Sequence, residues 1–133
     1  MKVPLFVFCH SALGTDKGLN ILGETSIMRM QSYPAKMPVC SVAMRVHLFH
    51  EDMNMPHELI VRFIDEDGRP VVAEIRLTLK AEMRQGLEAG PNHFVSQHLT
   101  VDFQNLTVPK RGSYAIDLWC RGELIAHAHV EFL

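Results

Sequence analysis

The stretch SYAIDLWCRGELIAHAHVEFL, residues 113–133, alternates apolar and polar side chains with a period of two on both sides of a single reversal. Tyr114, Ile116, Leu118 and Cys120 point one way and Ser113, Ala115, Asp117 and Trp119 the other, as successive side chains of an extended chain must. Arg121-Gly122 turns the chain, and Leu124, Ala126, Ala128, Val130 and Phe132 continue the apolar row on the return. The stretch is read as a β-hairpin with one face in a core.

Outward from the hairpin the same period recurs, and no apolar period of 3.6 residues persists beyond about two turns. Residues 40–49 place Val42, Met44, Val46 and Leu48 on one face. Residues 57–65 do the same with Leu59, Val61 and Phe63, and the acidic, glycine-containing turn 65–70 leads to a partner, residues 71–80, with Val71, Ala73, Ile75, Leu77 and Leu79 inward. Residues 94–108 turn Leu99, Val101 and Phe103 inward. The apolar run 3–9 predicts a strand covered on both faces, residues 18–30 a further strand bent at Gly23, and Pro34 to Pro38 a break in pairing. Residues 81–92 read as a loop with partial helix before Gly90-Pro91. Eight short strands without a helix long enough for a parallel crossover predict one all-β domain over residues 1–133, a two-sheet antiparallel sandwich.

The 133 residues are 47% hydrophobic, enough for an ordinary domain to bury roughly two thirds of its unfolded surface. Thirteen Lys and Arg against fifteen Asp and Glu give a net charge of −2, without the basic surplus that phosphate neutralisation requires. The partners expected therefore exclude nucleic acid and membrane. Cys9, Cys40 and Cys120 match neither a zinc knuckle nor a Cys-x-x-Cys site and read as reduced, buried thiols. The run 3–9 is too short for a signal peptide and lacks a cleavage site, and no run approaches the ~18 apolar residues of a membrane span. The expected compartment is the cytoplasm.

Two stretches carry a resemblance. They are Cys9-His10 with Gly18-Leu19-Asn20-Ile21-Leu22-Gly23, and Val108-Pro109 with Gly112-Ser113-Tyr114 and Arg121-Gly122-Glu123-Leu124-Ile125-Ala126. Together they resemble an uncharacterised family of small bacterial immunoglobulin-like sandwich proteins with no assigned activity, which implies a fold but no catalytic residues. Gly112-x-Tyr114 is also similar to the tyrosine corner of immunoglobulin-like domains. No cysteine stands two residues after Tyr114, so the inter-sheet disulfide of antibody domains is not expected.

Three constellations could carry chemistry. His50, Met53, Met55 and His57 place two imidazoles and two thioethers in one inter-strand turn, a donor set that suits copper. His127 and His129 share a strand face with Glu131, an arrangement with two histidines and one carboxylate. If the last strand pairs with 113–121 and that strand borders 40–49, one outer face gathers Arg45, His47, Asp117, Trp119, Arg121, His127 and His129. Tryptophan and arginine are favoured interface anchors. The serines lack a Gly-x-Ser-x-Gly context, the cysteines lie in runs that predict burial, Asp65 to Asp67 lack calcium-loop spacing, and the glycines are too dispersed for a phosphate loop. The expectation is a non-enzymatic binding or adaptor module without cofactor, meeting a protein partner through Trp119, Arg121, Arg45, His47 and Asp117 or through its end loops. A copper- or zinc-binding sandwich is the alternative. A self-assembling structural protein is a third reading, motivated by a last strand that could be an open edge.

Overall fold

The C-terminal hairpin forms as its alternation requires: β8 (Gly112–Cys120) and β9 (Glu123–Phe132) pair antiparallel from Gly112–Phe132 to Cys120–Glu123. The computed structural model describes residues 1–82 and 93–133. The other strands are β1 (Lys2–Thr15), β2 (Gly18–Glu24), β3 (Ile27–Met28), β4 (Ala35–Phe49), β5 (His57–Asp65), β6 (Ile75–Leu79) and β7 (Phe94–Val108), with one 3-10 turn, His50–Asp52, after β4. They form two sheets, β2-β1-β4-β7 and β3-β9-β8-β5-β6. The stretch expected as a loop with partial helix lies largely outside the described residues.

The order β1-β4-β7 against β9-β8-β5-β6 is that of strands A-B-E against G-F-C-C′ in an immunoglobulin-like sandwich. Tyr114 confirms its corner: its hydroxyl donates to the Lys110 carbonyl at 2.7 Å. The aromatic centre of the core is Phe63, packed edge-on against Phe8 and Phe103 of the facing sheet and against Tyr114, which in turn meets Phe132. The three cysteines are free and buried.

Several strand boundaries differ from the sequence reading. Only Phe8 and Cys9 of the first apolar run are buried, and β1 continues to Thr15. Residues 18–30 are not one strand: β2 ends at Glu24, and β3 joins the other sheet beside β9, in parallel. Gly23, at φ 67°, lies so close to His10 that a Cβ would stand 2.4 Å from its ring. The last strand is therefore not open at its end, because Ile27 and Met28 pair with Glu131 and Phe132.

The proline stretch does not stop pairing either. β4 meets β7 from Ala35–Val108 onward, skipping only the position of Pro38, where Asn105 opposite takes φ 54°. There both strands reverse phase, so Ala35 and Met37 before it and Cys40 and Val42 after it are all buried.

β6 is shorter than expected, and Ala73 is exposed. Between the Val61–Ile75 pair and the Ile64–Pro70 bridge, β5 advances three residues while the returning chain advances five, so that arm arches away from the sheet. Leu124 is 48% exposed rather than inward. A register shift pairs Leu118 with Ala126 but Trp119 with Leu124, and Ile125 is the extra residue of a bulge.

Candidate functional site

The outer face of β6-β5-β8-β9 carries the residues set between the inward rows. Trp119 faces Ile60 across the β5–β8 ladder, and Asp117 lies between Arg62 and His127. The Arg62 guanidinium sits 5.5 Å from the Trp119 ring centre and reaches Glu74 at 3.2 Å. Glu74 also holds Arg76 at 2.9 Å, and Arg76 holds Glu58 at 2.7 Å. These hydrogen-bonded ion pairs pull the exposed Glu74 carboxyl below its usual range. The Trp119 indole Nε1 is out of contact with water and has no hydrogen-bond partner among the described residues.

The arched segment leaves a groove beside Arg62. Its volume is about 570 Å³, and Ile64, Pro70, Val71, Val72 and Ala73 line it, with Arg62 and Glu74 as its charged residues. A shallower depression on the other side of Ile64 includes Ser113, Ala115 and His129. Arg62, Ile60 and Ile64 were missed in the sequence reading, although two isoleucines at polar-face positions of residues 57–65 were a legible signal.

The structure does not bring Arg45 and His47 to this face. β8 borders β5 and β9, whereas β4 lies in the opposite sheet, so the expected seven-residue face divides. Asp117, Trp119, His127 and His129 remain together. Arg45 and His47 share the outer face of β1-β4-β7, where the His47 ring stacks on Phe94 at 4.0 Å and 16°. Burial, then Arg45, His98 and Lys2, lower the basicity of His47.

Arg121 leaves the hairpin face as well. In the turn at φ 53°, it crosses to the sandwich end, where Nη2 lies 3.2 Å from Met55 Sδ and 3.4 Å from His57 Nδ1. His57 Nε2 stands 2.7 Å from the Asp52 carbonyl, which can only accept, and the Arg121 guanidinium at Nδ1 can only donate, so the ring donates through Nε2 and accepts through Nδ1. A guanidinium thus occupies the place where the Met55 sulfur and the His57 imidazole meet. Met53 is buried in the core, and His50 is exposed. Burial pushes the Asp52 carboxyl upward, but bonds from the Met1 amino group at 2.8 Å and the Phe49 amide at 3.0 Å outweigh it, and the net shift is downward.

On β9, His129 Nε2 meets Glu131 at 3.1 Å, and the same carboxylate oxygen accepts the Ser113 hydroxyl at 2.7 Å. Among the described residues no three His, Cys, Asp or Glu side chains converge on a metal-sized site. Burial raises the thiols of Cys9 and Cys120 and pushes Cys40 up to about 12, which leaves little thiolate near neutrality. Among the described residues no helix is long and apolar enough to cross a membrane.

These strands, the tyrosine corner and a solvent-facing sheet define an immunoglobulin-like β-sandwich. The chain belongs to DUF6941, a family of unknown function, whose model matches residues 4–132. No curated protein matches it. Among solved structures it is similar to an immunoglobulin-like protein from Pseudomonas aeruginosa, at 10% identity and TM-score 0.46 over 99% of this chain and 95% of that one. It is also similar to part of the Pseudomonas fluorescens alkylpurine DNA glycosylase AlkC bound to DNA containing an abasic site analog, at 11% identity and TM-score 0.45. That match covers 96% of this chain, which spans 30% of the glycosylase chain.

Proposed function

We propose that the protein is a non-enzymatic binding module that presents the outer face of β6-β5-β8-β9 to a protein partner. The observation that carries this reading is Trp119, an indole in the midst of that face whose N–H is withdrawn from water without an acceptor among the described residues. A buried donor left unbonded costs about 1–3 kcal/mol, so it is a latent recognition group. The adjoining groove offers an apolar floor next to a charged pair, the composition of an interface centre with a polar rim. The fitting partner segment inserts an apolar side chain over Ile64 and supplies a carbonyl oxygen to the indole once Arg62 swings aside. The raised thiol pKa values support a binding role over nucleophilic chemistry, and three free thiols suit a reducing compartment such as the cytoplasm.

The test uses the full chain as bait, comparing wild type, the double variant Trp119→Ala/Arg62→Ala, and Arg45→Gln on the opposite sheet. Capture of a partner should be lost only in the double variant, with its circular dichroism unchanged. Equal capture by all three would refute the reading. Sedimentation that shows a wild-type dimer and a monomeric double variant would make the face a homodimer contact instead.

A further inference from the structure

Among the described residues, Arg45 is the one lysine or arginine that is not exposed, and it makes no hydrogen bond or ion pair with any of them. A guanidinium carries five N–H donors and stays charged, so partial burial without acceptors is costly. The register gathers more donors beside it. One row across the sheet is Leu5, Arg45 and His98, and the next is Lys2, His47 and Ser96. Among the described residues Lys2 approaches the Phe49 ring at 5.7 Å but no carboxylate, and the Ser96 hydroxyl has no partner. His98 commits Nδ1 to the Thr15 carbonyl at 3.0 Å.

On the outward positions of β1, β4 and β7 the carboxylate is Asp102. It sits in the Ser41 row, four residues along β4 from Arg45 and so about 13 Å away at the rise of a strand. It is already engaged, accepting the Ser41 hydroxyl at 2.6 Å. The β1–β2 turn that covers His98 adds one acid, Asp16, and one base, Lys17, both exposed. At the far end of the patch Phe94, 42% exposed, forms an aromatic wall with His47 and Phe49.

We infer that this face binds a phosphate monoester carrying an aromatic group, with the oxyanion held by Arg45, Lys2, His47 and Ser96 and the ester's ring against Phe94. Two fixed cations match the charge of a phosphate dianion, and its three oxygens match the donors better than the two of a carboxylate. Burial is the larger cause of His47's reluctance to take a proton; the lesser cause, the positive charge of Arg45 and Lys2 beside it, is the one that also attracts an anion.

Calorimetric titration of the full chain with phenyl phosphate, inorganic phosphate and benzoate tests the site. Phenyl phosphate should bind saturably with a Kd below about 1 mM, and inorganic phosphate about tenfold more weakly. Benzoate should be weaker than phenyl phosphate. Arg45→Gln should weaken phenyl phosphate binding about tenfold or more, whereas Arg29→Gln, at an exposed position between β3 and β4, should leave it unchanged. Bound ligand should also raise the titration midpoint of His47 followed by NMR. The inference is overturned if phenyl phosphate fails to saturate by about 10 mM, or if Arg45→Gln binds as wild type does while folded. Equal affinity for inorganic and phenyl phosphate would remove the aromatic specificity, and an unmoved His47 titration would place the anion elsewhere. None of these outcomes depends on Trp119 or a protein partner.

Discussion

On the five-stranded sheet Arg62 and Arg76 interleave with Glu58 and Glu74, and each guanidinium has a carboxylate within 3.2 Å. On the four-stranded sheet Arg45, Lys2, His47 and His98 share one face, and the carboxylate of β7, Asp102, bonds elsewhere. Both faces alternate polar outward over apolar inward, so the hydrophobic pattern does not distinguish them. Register does. The β5–β6 pairing sets opposite signs side by side, while the β1–β4–β7 pairing stacks cation beside imidazole. Exposed ion pairs contribute little to stability, so the first face is neutralised rather than braced. The second keeps an unsatisfied potential. One sheet thus offers apolar area and a latent N–H, the other offers charge.

One core carries both faces, and Phe63 stands at its centre. Phe63→Ala should cost about 3–5 kcal/mol and leave a single denaturant transition; two separate transitions would mean that the sheets are independent platforms. Next in size, Tyr114→Phe removes the bond to Lys110 and should cost about 1 kcal/mol by the same measurement, without altering the binding of phenyl phosphate.

Trp119→Phe distinguishes a latent donor from a structural one. With no acceptor to lose among the described residues, its stability should stay within about 1 kcal/mol of wild type in urea melts, whereas a loss above about 2 kcal/mol would reveal a bonded N–H.

A smaller effect concerns pH. His47 is less basic in the folded chain than its ordinary 6.5, so the unfolded chain takes up the proton first. The site's contribution is complete above that value and is lost as pH falls through it toward the lowered folded value. His47→Gln should flatten that part of the pH profile of the denaturation midpoint. Smallest of all, Glu74→Gln should leave the midpoint unchanged within error. Added salt should stabilise wild type slightly more than Arg45→Gln, because screening relieves the cation cluster.

Much of the architecture was legible because alternation is a local property. The rows Tyr114 to Cys120, Val42 to Leu48 and Leu59 to Phe63 face inward as their period requires, and the tyrosine corner forms at the Gly112-x-Tyr114 signal. Where alternation failed, a backbone irregularity intervened: the phase reversal at Pro38 and Asn105, the arch before Ile75, and the bulge at Ile125. Pro38 is visible in the sequence as a break rather than as a phase reversal, and neither the arch nor the bulge changes composition enough to announce itself.

The candidate surfaces were legible only in part. Asp117, Trp119, His127 and His129 share a face because they lie on one hairpin, and a hairpin is fixed by nearby residues. Arg45 and His47 were joined to them through an assumed neighbour, and Arg121 was placed by extending a strand through its turn. Which side chains point away from the core follows from alternation alone, since a period of two needs only the chain's own geometry. Which strands lie side by side was decided by the tertiary structure, because it depends on how two twisted sheets share one core around Phe63. That choice sets a face with tryptophan and groove on one sheet and, on the other, a face whose cations have no carboxylate partner among the described residues.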